Sequence, residues 1–161
     1  MQVITDQELY RRIWDKIESD FCFCHSADTQ RAWLKPTGIF RKYFLETVWN
    51  DEQEALVNTI LCDVIGEEMF ALDWQHDCFL FDPNEKIPAG FQYHDSGRDC
   101  EVYFPTYYPD GDYYFFISKD WSAGLFGNPW RKELIVTGEE LITAIEKNCS
   151  ALGLKLNSDR R

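Results

Sequence analysis

The chain is predicted to be an α+β protein, a single domain in which a largely antiparallel β-sheet packs against about three α-helices. Three observations lead there. Three segments carry helix-start signals followed by apolar residues at helical spacing. Short aromatic-rich runs separated by turn residues fill the middle of the chain. Helices and strands do not alternate as βαβ units, which argues against a parallel sheet. At 161 residues and 45% hydrophobic composition the chain can build one core and is too short for two comfortable ones, so 1–161 is taken as one globular domain. Aromatic residues make up 16% of it, so ring burial must supply much of the stability, at roughly 25 cal/mol per Å² of apolar area.

Thr5-Asp6-Gln7-Glu8 has the S/T-x-x-E form of a capping box, and Leu9, Ile13, Trp14 and Ile17 follow at helical spacing, predicting a helix over 6–19. Residues 21–45 mix Pro36 and Gly38 with isolated aromatics and read as loop with a short strand. Within them, Phe21-Cys22-Phe23-Cys24-His25 offers two thiols and an imidazole. Zinc ligands usually come as spaced pairs, so this stretch reads as a core or edge strand with the cysteines on one side and the phenylalanines on the other.

Asn50-Asp51-Glu52-Gln53 repeats the capping logic, with acids at the positive end of the helix dipole. Leu56, Val57, Ile60, Leu61 and Val64 form its apolar stripe and Gly66 supplies a stop, giving a helix over 51–65. Strands follow at 69–74 and 78–81, then an exposed loop over 83–100. Val102-Tyr103-Phe104, the turn Pro109-Asp110-Gly111-Asp112 and the run 113–118 read as a hairpin, because Pro fixes φ and Gly accepts positive φ. Residues 125–130 pass through Gly127 and Pro129, and 133–136 read as another strand. Thr137-Gly138-Glu139-Glu140 is a third capping box, opening a helix over 138–148, and 154–161 is expected to fray.

The charge is concentrated. Residues 46–112 hold sixteen of the 28 acidic residues but only two cations, Lys86 and Arg98, while each flank is close to neutral. The net charge of −12 therefore comes from one region. A single-sign field costs self-repulsion, so it suggests a surface that meets something cationic, although an acidic stretch is commonly only a solvated face. Its sign disfavours nucleic acid and anionic membranes as partners. No Ca²⁺-loop pattern occurs.

The N-terminus has neither a basic nor an apolar leader segment, and no apolar run approaches the roughly 18 residues of a membrane span, so the chain reads as cytoplasmic. Its six cysteines read as reduced thiols.

Asp73-Trp74-Gln75-His76, the tract Pro109-Asp110-Gly111-Asp112-Tyr113-Tyr114-Phe115-Phe116-Ile117-Ser118-Lys119-Asp120, then Gly127-Asn128-Pro129-Trp130 and Gly138-Glu139-Glu140-Leu141 follow one another in a distinctive order and spacing. In that order they resemble the bacterial family catalogued as domain of unknown function 2716. The resemblance covers residues 69–145, with weaker similarity in the first helix, and 109–120 is its most specific part. The family usually carries His where this chain has Asn128. The resemblance implies a bacterial source and brings no activity, ligand or site residue with it.

No P-loop, G-x-G-x-x-G, G-x-S-x-G or H-E-x-x-H pattern is present, so nucleotide binding and the common hydrolases gain no support. Asp73, His76 and Asp77 are the first residues to test for acid–base chemistry. In an extended run, however, Asp73 and His76 would face opposite sides, leaving a structural histidine beside Trp74. Asp110 and Asp112 read as turn residues that bond their own backbone. With three histidines, a His-rich metal site is not expected, and no catalytic residue, metal ligand or cofactor is assigned.

The leading reading is an immunity protein that binds and neutralises a cognate bacterial toxin domain, a basic protein such as a nuclease, through its acidic surface. Glu67, Glu68, Asp82, Glu85, Asp95, Asp99 and Glu101 are the candidate charge contacts, with Tyr93 and Trp121 as aromatic anchors. The alternative is a ligand-binding or enzymatic domain whose pocket lies near His76 and the Trp121–Trp130 segment. A structural partner in a larger assembly is a third possibility.

Overall fold

A computed structural model describes residues 1–26 and 30–157. Strand β1 (Gln2–Val3) precedes helix α1 (Gln7–Asp20), β2 (Phe40–Leu45) and helix α2 (Asp51–Val64). Then come β3 (Met69–Asp73), β4 (Cys78–Phe81), a 3₁₀ turn (Pro83–Glu85), β5 (Gln92–Asp95), β6 (Cys100–Tyr103), β7 (Tyr114–Ser118), β8 (Gly124–Asn128) and β9 (Glu133–Thr137). Helix α3 (Glu139–Leu152) and β10 (Leu154–Leu156) complete the fold.

Eight strands form one sheet in the order β1-β4-β3-β7-β8-β9-β2-β10, antiparallel throughout, and β5 pairs with β6 as a separate ribbon. Alternation along the strands feeds two cores. Met69, Ala71, Phe116, Leu125, Leu134 and Val136 face α2 and α3, meeting Val57, Leu61, Leu141 and Ile145. Phe70, Leu72, Phe115, Ile117, Phe126 and Ile135 face the other way, onto Ile13, Trp14 and Ile17 of α1 and onto Trp33 and Leu34. Both faces are therefore covered, which is why the central strands read as continuous apolar runs. Among the described residues no helix is long and apolar enough to cross a membrane.

The helix signals succeed in outline and shift in detail. Asn50 caps α2 with a reciprocal box to Gln53, as expected. In α1 the cap is Asp6 rather than Thr5, its carboxylate accepting the N–H groups of Glu8 and Leu9 at 2.9 Å. Thr137 caps nothing, because it belongs to β9. Gly138 precedes α3 at φ 88°, where a Cβ would lie 2.8 Å from that of Ala123. Glycine is required there by conformation and by space.

Several loop and strand expectations are corrected. Residues 21–26 form no strand; Phe21 is buried, Cys22 is exposed at φ 50°, and Trp33 holds the segment by accepting the Cys24 N–H through its carbonyl. The turn at Pro109–Asp112 does not close a hairpin. β6 pairs with β5, while β7 takes β3 and β8 as neighbours, so residues 83–100 contain strand β5 where loop was expected. The segment before Trp130 is the central strand β8. Residues 154–156 pair with β2 instead of fraying, and 158–161 lie outside the described residues. The six cysteines are free, and burial pushes the Cys78 thiol up to about 12.

Candidate functional site

The chemistry-bearing residues gather at one end of the sheet, where β3 stops and β7 starts. Asp73 is the last residue of β3 and pairs across with Tyr114, which places Asp112, just before β7, beside it. The chain bends at Trp74–His76, and this returns His76 to Asp73 instead of projecting it to the opposite face as an extended run would. His76 Nδ1 lies 3.0 Å from Asp73 Oδ1 and 3.9 Å from Asp112 Oδ2. Asp73 and Asp112 are only 5% and 4% exposed, whereas the His76 side chain is 64% exposed. One open imidazole therefore covers two buried carboxylates.

Each carboxylate is held by backbone. Asp73 Oδ1 also accepts the Gln75 N–H at 3.3 Å, and Asp112 Oδ1 accepts the Tyr113 N–H at 2.7 Å. Burial lifts the Asp73 carboxyl above its ordinary value although the His76 bond pulls it down, so desolvation outweighs pairing. The hydrogen bond to Asp73 raises His76 in turn. The expectation of turn-bonded acids holds for Asp112. Its convergence with Asp73 and His76 was missed because it depends on β3 pairing with β7. The sequence marks both segments, and it is the pairing of β3 with β7 that joins them.

On the other side of this sheet end, Trp74 and Tyr113, the chain neighbours of Asp73 and Asp112, help line a cleft of about 330 Å³ with His25, Asn128, Trp130 and Arg131. The rings of His25 and Trp74 lie 4.5 Å apart, and those of Tyr113 and Trp130 4.8 Å. Asn128 is buried and accepts the Arg131 N–H at 3.1 Å. Trp121 does not belong to this cleft. It packs on Phe21 and Phe70 at the far end of β8, with the Lys16 ammonium 5.3 Å from its ring centre, so the segment expected to line one pocket is divided by a buried strand.

The candidate charge contacts fall into two groups. Asp95, Asp99, Glu101 and Tyr93 belong to the β5–β6 ribbon, which is tied to the Asp73 end because Arg98 bonds both Asp77 and Asp95 at 2.6 Å. Asp95 is thereby neutralised locally, His94 bonds Glu101 at 2.9 Å, and Tyr93 packs partly into the core. Glu67, Glu68, Asp82 and Glu85 sit at the opposite end, where Met69 pairs with Phe81 and Ser118. There Lys119 pairs with Glu68 at 3.0 Å, the N-terminal ammonium pairs with Glu85, and Asp82 caps the 3₁₀ turn.

That second end gains acids from outside residues 46–112. Glu67, Asp120, Glu139 and Glu140 line one groove of about 430 Å³, and Asp63, Glu139 and Glu140 line an adjoining one of about 520 Å³. Lys147 is the one cation lining either. Among the described residues Glu67, Glu139 and Glu140 make no ion pair. Asp120 is held below its ordinary value chiefly by the Ser118 hydroxyl, then by Ser122. Regional charge counting could not find this surface, because Asp120, Glu139 and Glu140 lie in a flank that is neutral overall.

No solved structure matches this chain. Uncharacterized protein YxiI of Bacillus subtilis (strain 168) is 42% identical over 83 residues, which is 52% of this chain and 46% of that protein, so the chain spans about half the relative's length. The profile described as "Protein of unknown function (DUF2716)" matches residues 4–142, taking in both sheet ends and all three residues of the Asp73–His76–Asp112 cluster. The chain therefore belongs to the DUF2716 family, as its central motifs indicated.

Proposed function

We propose that the protein is a cytoplasmic bacterial immunity protein that binds and neutralises a cognate toxin domain, a basic protein such as a nuclease. The observation that carries this reading is the acidic end: Asp63 and Glu67, Asp120, and Glu139 and Glu140 come from three separate parts of the chain onto adjoining grooves with one lysine among their lining residues. Like charges gathered from distant segments repel one another in the folded state, and a cationic partner would relieve that repulsion. Such a field also speeds encounter, because fixed charges of one sign steer an oppositely charged surface.

Co-expression tests the proposal. The C-terminal domain of the polypeptide encoded immediately upstream is produced together with this protein, and growth is followed. Wild type is expected to protect, and the triple variant Glu67→Lys, Glu139→Lys, Glu140→Lys to lose protection while folding normally. Equal protection by the variant would remove the acidic end from the account.

A second reading draws on the cleft at the other sheet end. Its ring-lined walls, with Arg131 and the buried Asn128 amide, suit a small planar or anionic ligand.

A further inference from the structure

We propose that Asp73, His76 and Asp112 form a binding site for a divalent transition-metal cation. Their ligand atoms, one from each residue, lie within 4.8 Å of one another. Metal–oxygen and metal–nitrogen bonds of about 2.0–2.2 Å place neighbouring ligand atoms roughly 3 Å apart. The His76–Asp73 separation of 3.0 Å already meets that, and the 3.9 Å to Asp112 closes with a small side-chain movement.

Burial is the second, independent argument. Two carboxylates that are each more than nine-tenths buried form no ion pair with Lys or Arg among the described residues, and Arg98 is committed to Asp77 and Asp95. A hydrogen-bonded histidine accounts for Asp73 but leaves Asp112 Oδ2 facing the imidazole beyond hydrogen-bond distance. That oxygen points into the cluster while Oδ1 is fixed by the Tyr113 N–H. Backbone bonds that hold one carboxylate oxygen and leave the other for a cation are a common outer support of metal sites.

The donor set selects the metal. An imidazole disfavours Ca²⁺ and Mg²⁺, which prefer all-oxygen surroundings, and two carboxylates with no thiol fit Mn²⁺, Fe²⁺ or Zn²⁺. Three protein ligands leave positions for water or a ligand. The open side is the exposed edge of His76, which also gives the ion its way in.

Mn²⁺ is the probe of choice because it avoids the six free cysteines. The full-length protein is titrated with Mn²⁺ and the free ion is followed by electron paramagnetic resonance. One ion per chain is expected. His76→Ala, at an exposed position, should weaken binding about tenfold or more, and Asp112→Asn should do the same, while Cys22→Ser with Cys24→Ser changes nothing. Co²⁺ should give a spectrum without a thiolate charge-transfer band. Absence of stoichiometric Mn²⁺ binding, unchanged affinity in His76→Ala, or a thiolate band that marks the cysteines as ligands would each overturn the proposal.

Discussion

Glu54 shows how far a single residue can depart from its sequence context. It lies in an acid-rich first turn of α2 and reads as one more solvated charge. In the fold it is buried, and its two carboxylate oxygens accept the N–H groups of Tyr107 and Tyr108 at 2.8 Å. It thereby anchors the passage from β6 to β7. Burial nevertheless lifts its carboxyl above the ordinary 4.5, outweighing the two hydrogen bonds that lower it. The folded protein then holds this proton more tightly than the unfolded chain, so stability falls as pH rises from 4.5 through the raised folded value. Glu54→Ala is expected to flatten that part of the stability–pH curve. The buried Tyr107 N–H left without an acceptor should cost about 1–3 kcal/mol, and the part-buried Tyr108 N–H less. Urea unfolding at several pH values reads both effects, and an unchanged slope in the variant would remove Glu54 as the cause. His76 makes the same point about legibility. Its identity was readable, but its partner depended on a bend after β3 and on the pairing of β3 with β7.

Elements were legible where their signals were local. Helices α1 and α2 and the strands at 69–73, 78–81 and 133–137 stand within a residue or two of their expected places, because helical spacing and aromatic runs record burial directly, whereas α3 starts where expected and runs four residues further, to Leu152. Elements fixed by distant partners were not legible. The turn at Pro109 has hairpin chemistry, yet Tyr107 and Tyr108 are held by α2, and β7 inserts between β3 and β8. β8 was obscured by Gly127, whose small size serves packing: a Cβ there would come within 2.8 Å of Pro109 Cβ. Gly127→Ala should therefore cost about 1–3 kcal/mol by overpacking. Gly38→Ala, with nothing within 4 Å of the added methyl, should be near neutral. Denaturant midpoints compare the two, and an equally mild effect at Gly127 would contradict the close approach. β10 carries no local strand signal, and its three residues take their place from pairing with β2 and from Leu154 entering the core.

At the scale of the molecule, the sequence revealed how much negative charge there is but not where it goes. Of the sixteen acids in 46–112, Glu54, Asp73 and Asp112 are buried and Asp77 and Asp95 share Arg98. β3, a five-residue strand spanning roughly 17 Å, separates Glu67 and Glu68 at one sheet end from Asp99 and Glu101 on the ribbon at the other. Meanwhile Asp120, Glu139 and Glu140 join Glu67 across the β7–β8 and β9–α3 turns. The acidic end is thus a product of the fold, and it is the surface on which the proposed partner binding rests. Titration calorimetry against the domain encoded upstream, at two salt concentrations, tests this most directly. With a screening length of about 10 Å at 0.1 M salt, contacts between exposed charges should weaken as salt rises. Tight one-to-one binding whose affinity falls with added salt is the predicted result; no binding, or an affinity indifferent to salt, would contradict the account.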